Sequence, residues 1–514
     1  MLAKTRCAAL FGVDARTVVL EVDFSRSGMP AFTMVGLPEA AVRESKERVF
    51  SALRNADLKL PPARITVNLA PADIRKEGSA FDLPLAVGLL AAAGHLDPAQ
   101  AEGYFFAGEL SLTGAIKPIP GALPMALRAR DENARGLILA ADNAPEAAVA
   151  QGLPVFGAES LSQVIAHLSG QEALAPATVD IDALWAQEQR HGLDFSEVKG
   201  QEHALRAIEI AAAGAHNLLF IGPPGSGKTM LARRIPTVLP PLSFDEALEV
   251  TKIYSVAGRL SHDKALLAVR PFRAPHHTIS DAGLIGGGHH PRPGEVSLAH
   301  CGVLFLDELP EFKKHVLEVL RQPLEDGQVT IARAAMSLSY PSGFMLVAAM
   351  NPCPCGYYTD DRRPCSCSPE ARRRYQSRLS GPLLDRIDLQ VEVPAVPYED
   401  LKQTRGSTDS TTMRARIQQA RQTQAERYEG ETVLTNSQLS GGLEERHCPL
   451  TSAEHDFLER AVRTLGLSAR AFSRIRRIAR TIADLQGAER IEVPHLAEAV
   501  NYRIMDRRRG GDDA

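Results

Sequence analysis

The stretch Leu218 to Met230 reads LLFIGPPGSGKTM, and it constrains the chain more than any other. Four apolar residues, Leu218, Leu219, Phe220 and Ile221, run into Gly222, Pro223, Pro224, Gly225, Ser226 and Gly227, then Lys228, Thr229 and the helical pattern MLARRI. A buried strand, a glycine-rich loop and a helix in that order are the context in which G-x-x-x-x-G-K-[ST] holds phosphate. A side chain at Gly225 or Gly227 would keep the backbone away from an anion, whereas bare N–H groups at a helix start attract one. Lys228 is placed to reach the β- and γ-phosphates, and the Thr229 hydroxyl to ligate Mg2+. The expected ligand is ATP with Mg2+.

Such a loop needs an acidic strand end to hold the metal and activate water. Val303-Leu304-Phe305-Leu306-Asp307-Glu308 supplies four residues of a buried parallel strand and then two carboxylates. Asp307 is the expected Mg2+ contact and Glu308 the group that polarises the attacking water. A further apolar run, Phe344–Met350, ends at Asn351. This set resembles the core of AAA+ ATPases, in which a polar residue at that strand end senses the γ-phosphate. The same resemblance reads Arg386, in Gly381-Pro382-Leu383-Leu384-Asp385-Arg386, as an arginine finger reaching a neighbouring subunit's nucleotide. In Ser468-Ala469-Arg470-Ala471 it reads Arg470 as a second sensor, with Arg474 and Arg477 as competitors on the same helix.

At 514 residues the chain has room for roughly three domains. The expected boundaries are 1–170, a linker at 171–194 that loses its apolar period, an α/β core with a parallel sheet at 195–395, and a helical lid at 396–514. Short β-branched runs (Thr17–Val22, Ala63–Asn68, Phe105–Leu112) alternate with helical patterns in the first unit, which reads as α+β or α/β. Lys76-Glu77-Gly78-Ser79-Ala80-Phe81-Asp82-Leu83 and Gly108-Glu109-Leu110-Ser111-Leu112-Thr113-Gly114 resemble the protease domain of Lon-type enzymes. Matching those segments puts Ala80 at the nucleophile's position and Leu123 at the lysine's. Without nucleophile or base, acyl transfer has nothing to run on. A non-catalytic relative is expected.

Net charge is −4, from 58 basic and 62 acidic residues, so any nucleic-acid contact must be local. No apolar run approaches the roughly 18 residues that span a bilayer, so no membrane partner is expected. No signal-peptide pattern opens the chain. Seven cysteines, four of them between Cys353 and Cys367, are too few and too clustered for a disulfide scaffold. A reducing cytoplasm is the expected compartment.

Longer strings narrow the resemblance. Phe272-Arg273-Ala274-Pro275-His276-His277-Thr278, Pro293-Gly294-Glu295-Val296-Ser297-Leu298-Ala299-His300, Asn351-Pro352-Cys353-Pro354-Cys355-Gly356 and Ala479-Arg480-Thr481-Ile482-Ala483-Asp484-Leu485 are similar to the YifB/ComM family. These are magnesium-chelatase-like AAA+ ATPases of bacteria. The resemblance implies a homo-hexameric ring. In its competence members it implies a DNA helicase that drives branch migration while transforming DNA is integrated by homologous recombination. The expected DNA is single-stranded or branched. A chelatase-type motor loading metal into a macrocycle, or a regulatory ATPase remodelling a protein, is the alternative.

Two insertions can be read physically. Asp281 to Gly294 is glycine-rich and reads as mobile, carrying His289, His290 and Arg292; Asp326 to Tyr340 reads as a β-hairpin with Arg333 on one strand. Arg292 and Arg333 are candidate phosphate contacts, a solvated arginine being the competing reading. Cys353, Cys355, Cys365 and Cys367 make a four-thiol set in a loop without core hydrophobics, which a structural Zn2+ would order; free thiols are the alternative. The basic run Arg372 to Arg378 that follows suits a DNA backbone, a neighbouring subunit or a solvated helix face.

Overall fold

The β-branched runs near the N-terminus become strands of a seven-stranded sheet. In the computed structural model, which describes residues 1–188, 192–261, 264–288, 291–333, 336–360, 362–402 and 406–503, the chain divides into two units. The first comprises Met1–Glu188, Ser243–Ala268 and Ala332–Tyr340; the second comprises Gln189–Leu242, Val269–Ile331 and Pro341–Ala514.

The sheet of the first unit runs Ala31–Val35, Arg64–Ala70, Asp14–Ser25, Leu2–Phe11, Tyr104–Phe106, Gly136–Ala140 and Val155–Ala158 in spatial order. Leu2–Phe11 and Asp14–Ser25 form an antiparallel hairpin, while Tyr104–Phe106, Gly136–Ala140 and Val155–Ala158 add parallel strands. Alternate residues Ala3, Thr5 and Cys7 point inward, as the two-residue period of a strand requires. Against them lies the helix Asp82–Ala93, apolar nearly all round and buried along its length. Its one charged residue, Asp82, takes a two-point contact from Arg48, Nε to Oδ2 at 2.7 Å and Nη2 to Oδ1 at 3.0 Å. Ala80 and Leu123 are both buried, and the Ser79 hydroxyl donates to the Glu109 carboxylate. The nearby Lys76 ammonium bonds the Pro71 carbonyl.

Three local readings change. The run Phe105–Leu112 is two strands, because Gly108 N bonds Ala80 O at 3.0 Å and Glu109–Leu110 pairs with Ile116–Lys117 instead. The stretch 171–194 contains the helix Ile181–Glu188, whose start is capped by Asp180 accepting from Ala183 N at 2.9 Å. The helix Phe244–Val256 follows the P-loop helix in sequence yet belongs to the first unit. Lys252 pairs with Asp14 there, and the Ser255 hydroxyl donates to the buried Glu146.

The second unit is built on a five-stranded parallel sheet ordered Phe272–Arg273, Val303–Leu306, Met345–Met350, Leu218–Ile221, Leu389–Glu392. Every residue of Val303–Leu306, Met345–Met350 and Leu218–Ile221 is buried, as expected when helices cover both faces of a parallel sheet. The helices Ser410–Arg427, Ser452–Leu465, Ala469–Leu485 and Val493–Asn501 share this unit's core with the helix Glu202–Gly214. The last carbonyls of Glu202–Gly214 have no partner within their own helix and are met from outside. Arg421 Nη2 donates to Ala212 O at 2.9 Å and Gln424 Nε2 to Ala213 O at 3.0 Å. The last helix, whose apolar pattern in the sequence runs from Val493 to Arg508, ends at Asn501, and residues 504–514 lie outside the described residues. Among the described residues no helix is long and apolar enough to cross a membrane.

The insertion read as a mobile glycine-rich loop holds a short helix, Asp281–Ile285, because the Ser280 hydroxyl accepts from Gly283 N at 3.1 Å and starts it. Gly286–Gly287 then pairs with Arg292–Pro293, with Arg292 exposed; His289 and His290 lie outside the described residues. Gln328–Arg333 and Met336–Pro341 form the expected hairpin, and the Arg333 side chain lies outside the described residues.

Candidate nucleotide site and four-thiol loop

The P-loop leaves the carboxyl end of Leu218–Ile221, where parallel α/β sheets bind their ligands. Gly222 must be glycine, since a Cβ there would stand 2.1 Å from the Val393 carbonyl oxygen. Gly227 takes φ +89° and turns the loop into the helix Lys228–Arg234. The Lys228 ammonium donates to Gly222 O at 2.8 Å, Pro223 O at 2.9 Å and Asn351 Oδ1 at 3.3 Å. Burial pushes Lys228 down to about 8, with Asp307 opposing the shift. The Thr229 hydroxyl donates to Asp307 Oδ2 at 2.7 Å, and Asp307 Oδ1 accepts the Glu308 N–H at 2.9 Å.

The residues fit Mg-ATP. Thr229 and Asp307 converge as two hard oxygen donors, the kind Mg2+ prefers. The Ser226 hydroxyl is buried without a partner among the described residues, a polar group suited to a ligand. First-turn N–H groups of a helix have no carbonyl four residues back, so they face outward toward an anion. Glu308 sits in the left-handed region at φ 52°, a backbone strain of the kind that collects at functional sites.

Two neighbours escaped the sequence reading. His277 Nδ1 lies 3.4 Å from Glu308 Oε2, and its ring packs edge-on to Phe312. Gln201 Nε2 donates to Ser226 O at 2.6 Å, tying the segment before Glu202–Gly214 to the loop. No local signal marks His277, whose approach to Glu308 follows from the pairing of Phe272–Arg273 with Val303–Leu306.

Arg386 and Arg470 form a second group. The Arg386 carbonyl accepts from Asn217 Nδ2 at 2.9 Å, and Asn217 immediately precedes Leu218. Leu389 pairs in parallel with Leu218, so Arg386 stands at the amino ends of the strands and Lys228 beyond their carboxyl ends. A four-residue strand separates those ends by about 10 Å. Arg386 Nη1 donates to Pro382 O at 2.6 Å, and its guanidinium pairs with Glu325. Arg470 Nη1 reaches Asp385 Oδ2 at 3.3 Å and is mostly exposed. Its competitors are occupied elsewhere: Arg474 on buried Asp388 at 3.2 Å, and Arg477 on Ser437 O at 2.5 Å. Burial would raise the Asp388 carboxyl, but the His216 hydrogen bond and the Arg474 charge outweigh it and hold the group below the usual range.

The four thiols come together within the same unit. Their sulfurs all lie within 4.8 Å of one another, with Cys353–Cys355 at 3.3 Å, Cys353–Cys365 at 3.7 Å and Cys355–Cys365 at 3.6 Å. Four sulfurs about 2.3 Å from a tetrahedral Zn2+ stand about 3.8 Å apart. The backbone N–H of Tyr357 leads the groups that hold the Cys355 thiol below its usual range, whereas burial pushes the Cys353 thiol up to about 12. The donor set fits zinc.

This fold and site define a magnesium-chelatase-like AAA+ ATPase. The family described as magnesium chelatase, subunit ChlI, matches residues 194–401; related models match 20–143 (subunit ChlI of Mg-chelatase) and 407–503 (the ChlI C-terminal region). Competence protein ComM of Haemophilus influenzae is 48% identical over 98% of each chain. The protein YifB of Escherichia coli K12 is 45% identical over 97% of this chain and 96% of its own. The magnesium-chelatase 38 kDa subunit of Rhodobacter capsulatus is 26% identical over 39% of this chain and 55% of its own. The chain belongs to the YifB/ComM family of magnesium-chelatase-like AAA+ ATPases.

Proposed function

We propose that the protein is a ring-forming motor that hydrolyses ATP to move along DNA, promoting branch migration during recombination of incoming DNA. The observation that carries the motor reading is the convergence of Lys228, Thr229, Asp307 and Asn351 at one end of the sheet, with Arg386 at the other. Lys228 and the backbone of Gly222 to Thr229 hold the phosphates. Thr229 and Asp307 hold Mg2+, which neutralises charge on the phosphates when bound. Glu308, steadied by His277, polarises water, and Asn351 orients the γ-phosphate. Arg386, whose backbone stands at the strand ends opposite its own P-loop, and Arg470 beside Asp385 serve the nucleotide of the next subunit, which requires a ring; six subunits is the number the family suggests.

The DNA part is supported by the identity to a competence protein over the whole chain. Arg292 and Arg333 on inserted elements are the proposed grips, since repetition around a ring gathers modest patches into a positive channel. We take 1–170 as a Lon-like domain without peptidase chemistry, 171–194 as a linker, 195–395 as the ATPase core and 396–514 as the lid. We take Cys353, Cys355, Cys365 and Cys367 to hold a structural Zn2+.

The test is ATP-driven movement of a three-strand DNA junction by purified protein, with ATPase measured with and without branched DNA. Binding should ignore sequence and weaken steeply with salt, because the contacts are to phosphates. Protein that hydrolyses ATP but neither binds nor moves any DNA at low salt removes the helicase reading. The chelatase-type motor, favoured by the family match over 194–401, then takes its place.

A further inference from the structure

We propose that the four-thiol loop positions the ATP site: a metal held by Cys353, Cys355, Cys365 and Cys367 keeps Asn351 fixed against Lys228. This rests on the metal reading above and gives that metal a task in turnover. Asn351 is the first residue beyond the strand Met345–Met350, and Cys353 follows two residues later. Asn351 Oδ1 accepts from Lys228 Nζ at 3.3 Å. The loop is seated on the P-loop by Gly356, which has φ +87°; a Cβ there would stand 2.6 Å from Pro224 Cδ. On its far side the loop runs into the helix Pro369–Gln376 directly after Cys367. That helix returns to the same point: Gln376 Nε2 reaches Pro352 O at 3.5 Å, next to Asn351, and Tyr375 beside it is buried.

Between those contacts the loop has no strand or helix among its described residues, and apart from Pro352 and Gly356 at the contacts themselves Cys353 is the one residue buried there. The sulfur cluster ties the Asn351 end, through Cys353 and Cys355, to the Tyr375 end, through Cys365 and Cys367; a further link across is the Arg372 guanidinium, 4.0 Å over the exposed Tyr358 ring. A segment that cannot bury a core takes its order from the metal. Lys228 and the P-loop are carried instead by Leu218–Ile221 and its flanking strands, which hold no thiol ligand. Metal loss should accordingly reach turnover and spare nucleotide binding.

The test uses the full chain as purified, with metal measured by elemental analysis, kcat from phosphate release and affinity from a fluorescent ATP analogue. The unmodified protein should carry about one metal per chain. Stripping with a strong zinc chelator, or the double change Cys365→Ser with Cys367→Ser, should cut kcat by about 10- to 100-fold, the scale of a misplaced catalytic group. Nucleotide affinity should change by less than about threefold, the mark of an interaction felt in turnover rather than in binding. Adding Zn2+ back should restore kcat to the stripped protein and not to the double variant. Gly356→Ala keeps every thiol, and should keep the metal while losing kcat. Metal that can be removed with kcat unchanged overturns the positioning role and leaves the metal site standing. Fully active protein purified without metal overturns both. Loss of nucleotide binding together with kcat, or normal kcat in Gly356→Ala, also overturns the positioning role.

Discussion

The Thr229 hydroxyl and Asp307 Oδ2 meet at 2.7 Å across 78 residues of chain, joining the P-loop helix to the end of Val303–Leu306. That contact puts the proposed Mg2+ ligands on one side of the loop and leaves Glu308, mostly exposed, facing outward beside His277. Binding and hydrolysis should therefore separate by residue. Lys228→Ala should lose nucleotide affinity and turnover together. Glu308→Gln should still bind ATP, with turnover down by about 100-fold or more, because a general base is gone and the metal ligands are intact. Normal phosphate release from either variant would remove the assignment.

Lys228 should also make nucleotide binding pH-dependent. Burial pushes its ammonium down to about 8 in the free protein, and adjacent phosphates favour the charged form and raise it again. At about pH 7 the group is protonated before and after binding, so no proton moves. As pH rises through about 8 the free form loses its proton, and binding must take one up. Affinity should then fall by up to about tenfold per pH unit. Calorimetry in two buffers of different ionisation heat should show uptake approaching one proton at about pH 9. Lys228→Arg, charged throughout, should show none.

How much of this was legible follows from where each partner lies in sequence. The P-loop and the Asp307-Glu308 pair could be read because strand, loop and functional residue are consecutive, and local chemistry fixes them. Asn351 could be read because its strand is apolar throughout and ends abruptly. His277 was hidden, because its link to Glu308 exists only once Phe272–Arg273 and Val303–Leu306 lie side by side. The shared neighbourhood of Arg386 and Arg470 depends likewise on Asp385, and so on how Ala469–Leu485 packs. The helix Phe244–Val256 reads as part of the ATPase core because it follows the P-loop helix; nothing local announces that Lys252 will meet Asp14. The helix Ile181–Glu188 was missed because its apolar period is weak, and only Asp180 marks its start.

The C-terminal helices should depend on one buried carboxylate. Asp484 accepts from Arg427 Nη1 at 3.0 Å, Arg480 Nε at 3.1 Å and Asn436 Nδ2 at 2.8 Å. Asp484→Ala leaves two guanidiniums facing each other without a counter-charge, which should cost about 3–5 kcal/mol. The exposed pair Glu459–Arg463 is the control, and Glu459→Ala should cost under about 0.5 kcal/mol. Urea unfolding of the transition that carries these helices measures both. Equal effects would mean that the Asp484 network is not what holds the helices together.

The last expectation concerns where Arg386 acts. Asn217 pins the Arg386 backbone at the amino ends of the strands, whereas Lys228 stands past their carboxyl ends. Within one chain Arg386 has Glu325 for a partner, and its buried Nε has none among the described residues. In the proposed ring such a guanidinium would meet the phosphates of the neighbouring subunit, displacing or sharing Glu325. Arg386→Ala should therefore lower ATPase by about 1,000-fold or more with nucleotide binding intact, since such arginines act on charge developing in the transition state. Lys228→Ala should be inactive for the separate reason that it binds no nucleotide. Mixed in one ring, the two variants regenerate complete sites wherever an intact P-loop faces an intact Arg386. ATPase should reappear and peak near equal proportions. If rings shown by mass spectrometry to contain both variants stay inactive at every ratio, Arg386 is a surface ion pair and the finger must be sought elsewhere. Arg470, one contact away through Asp385, would be the first place to look.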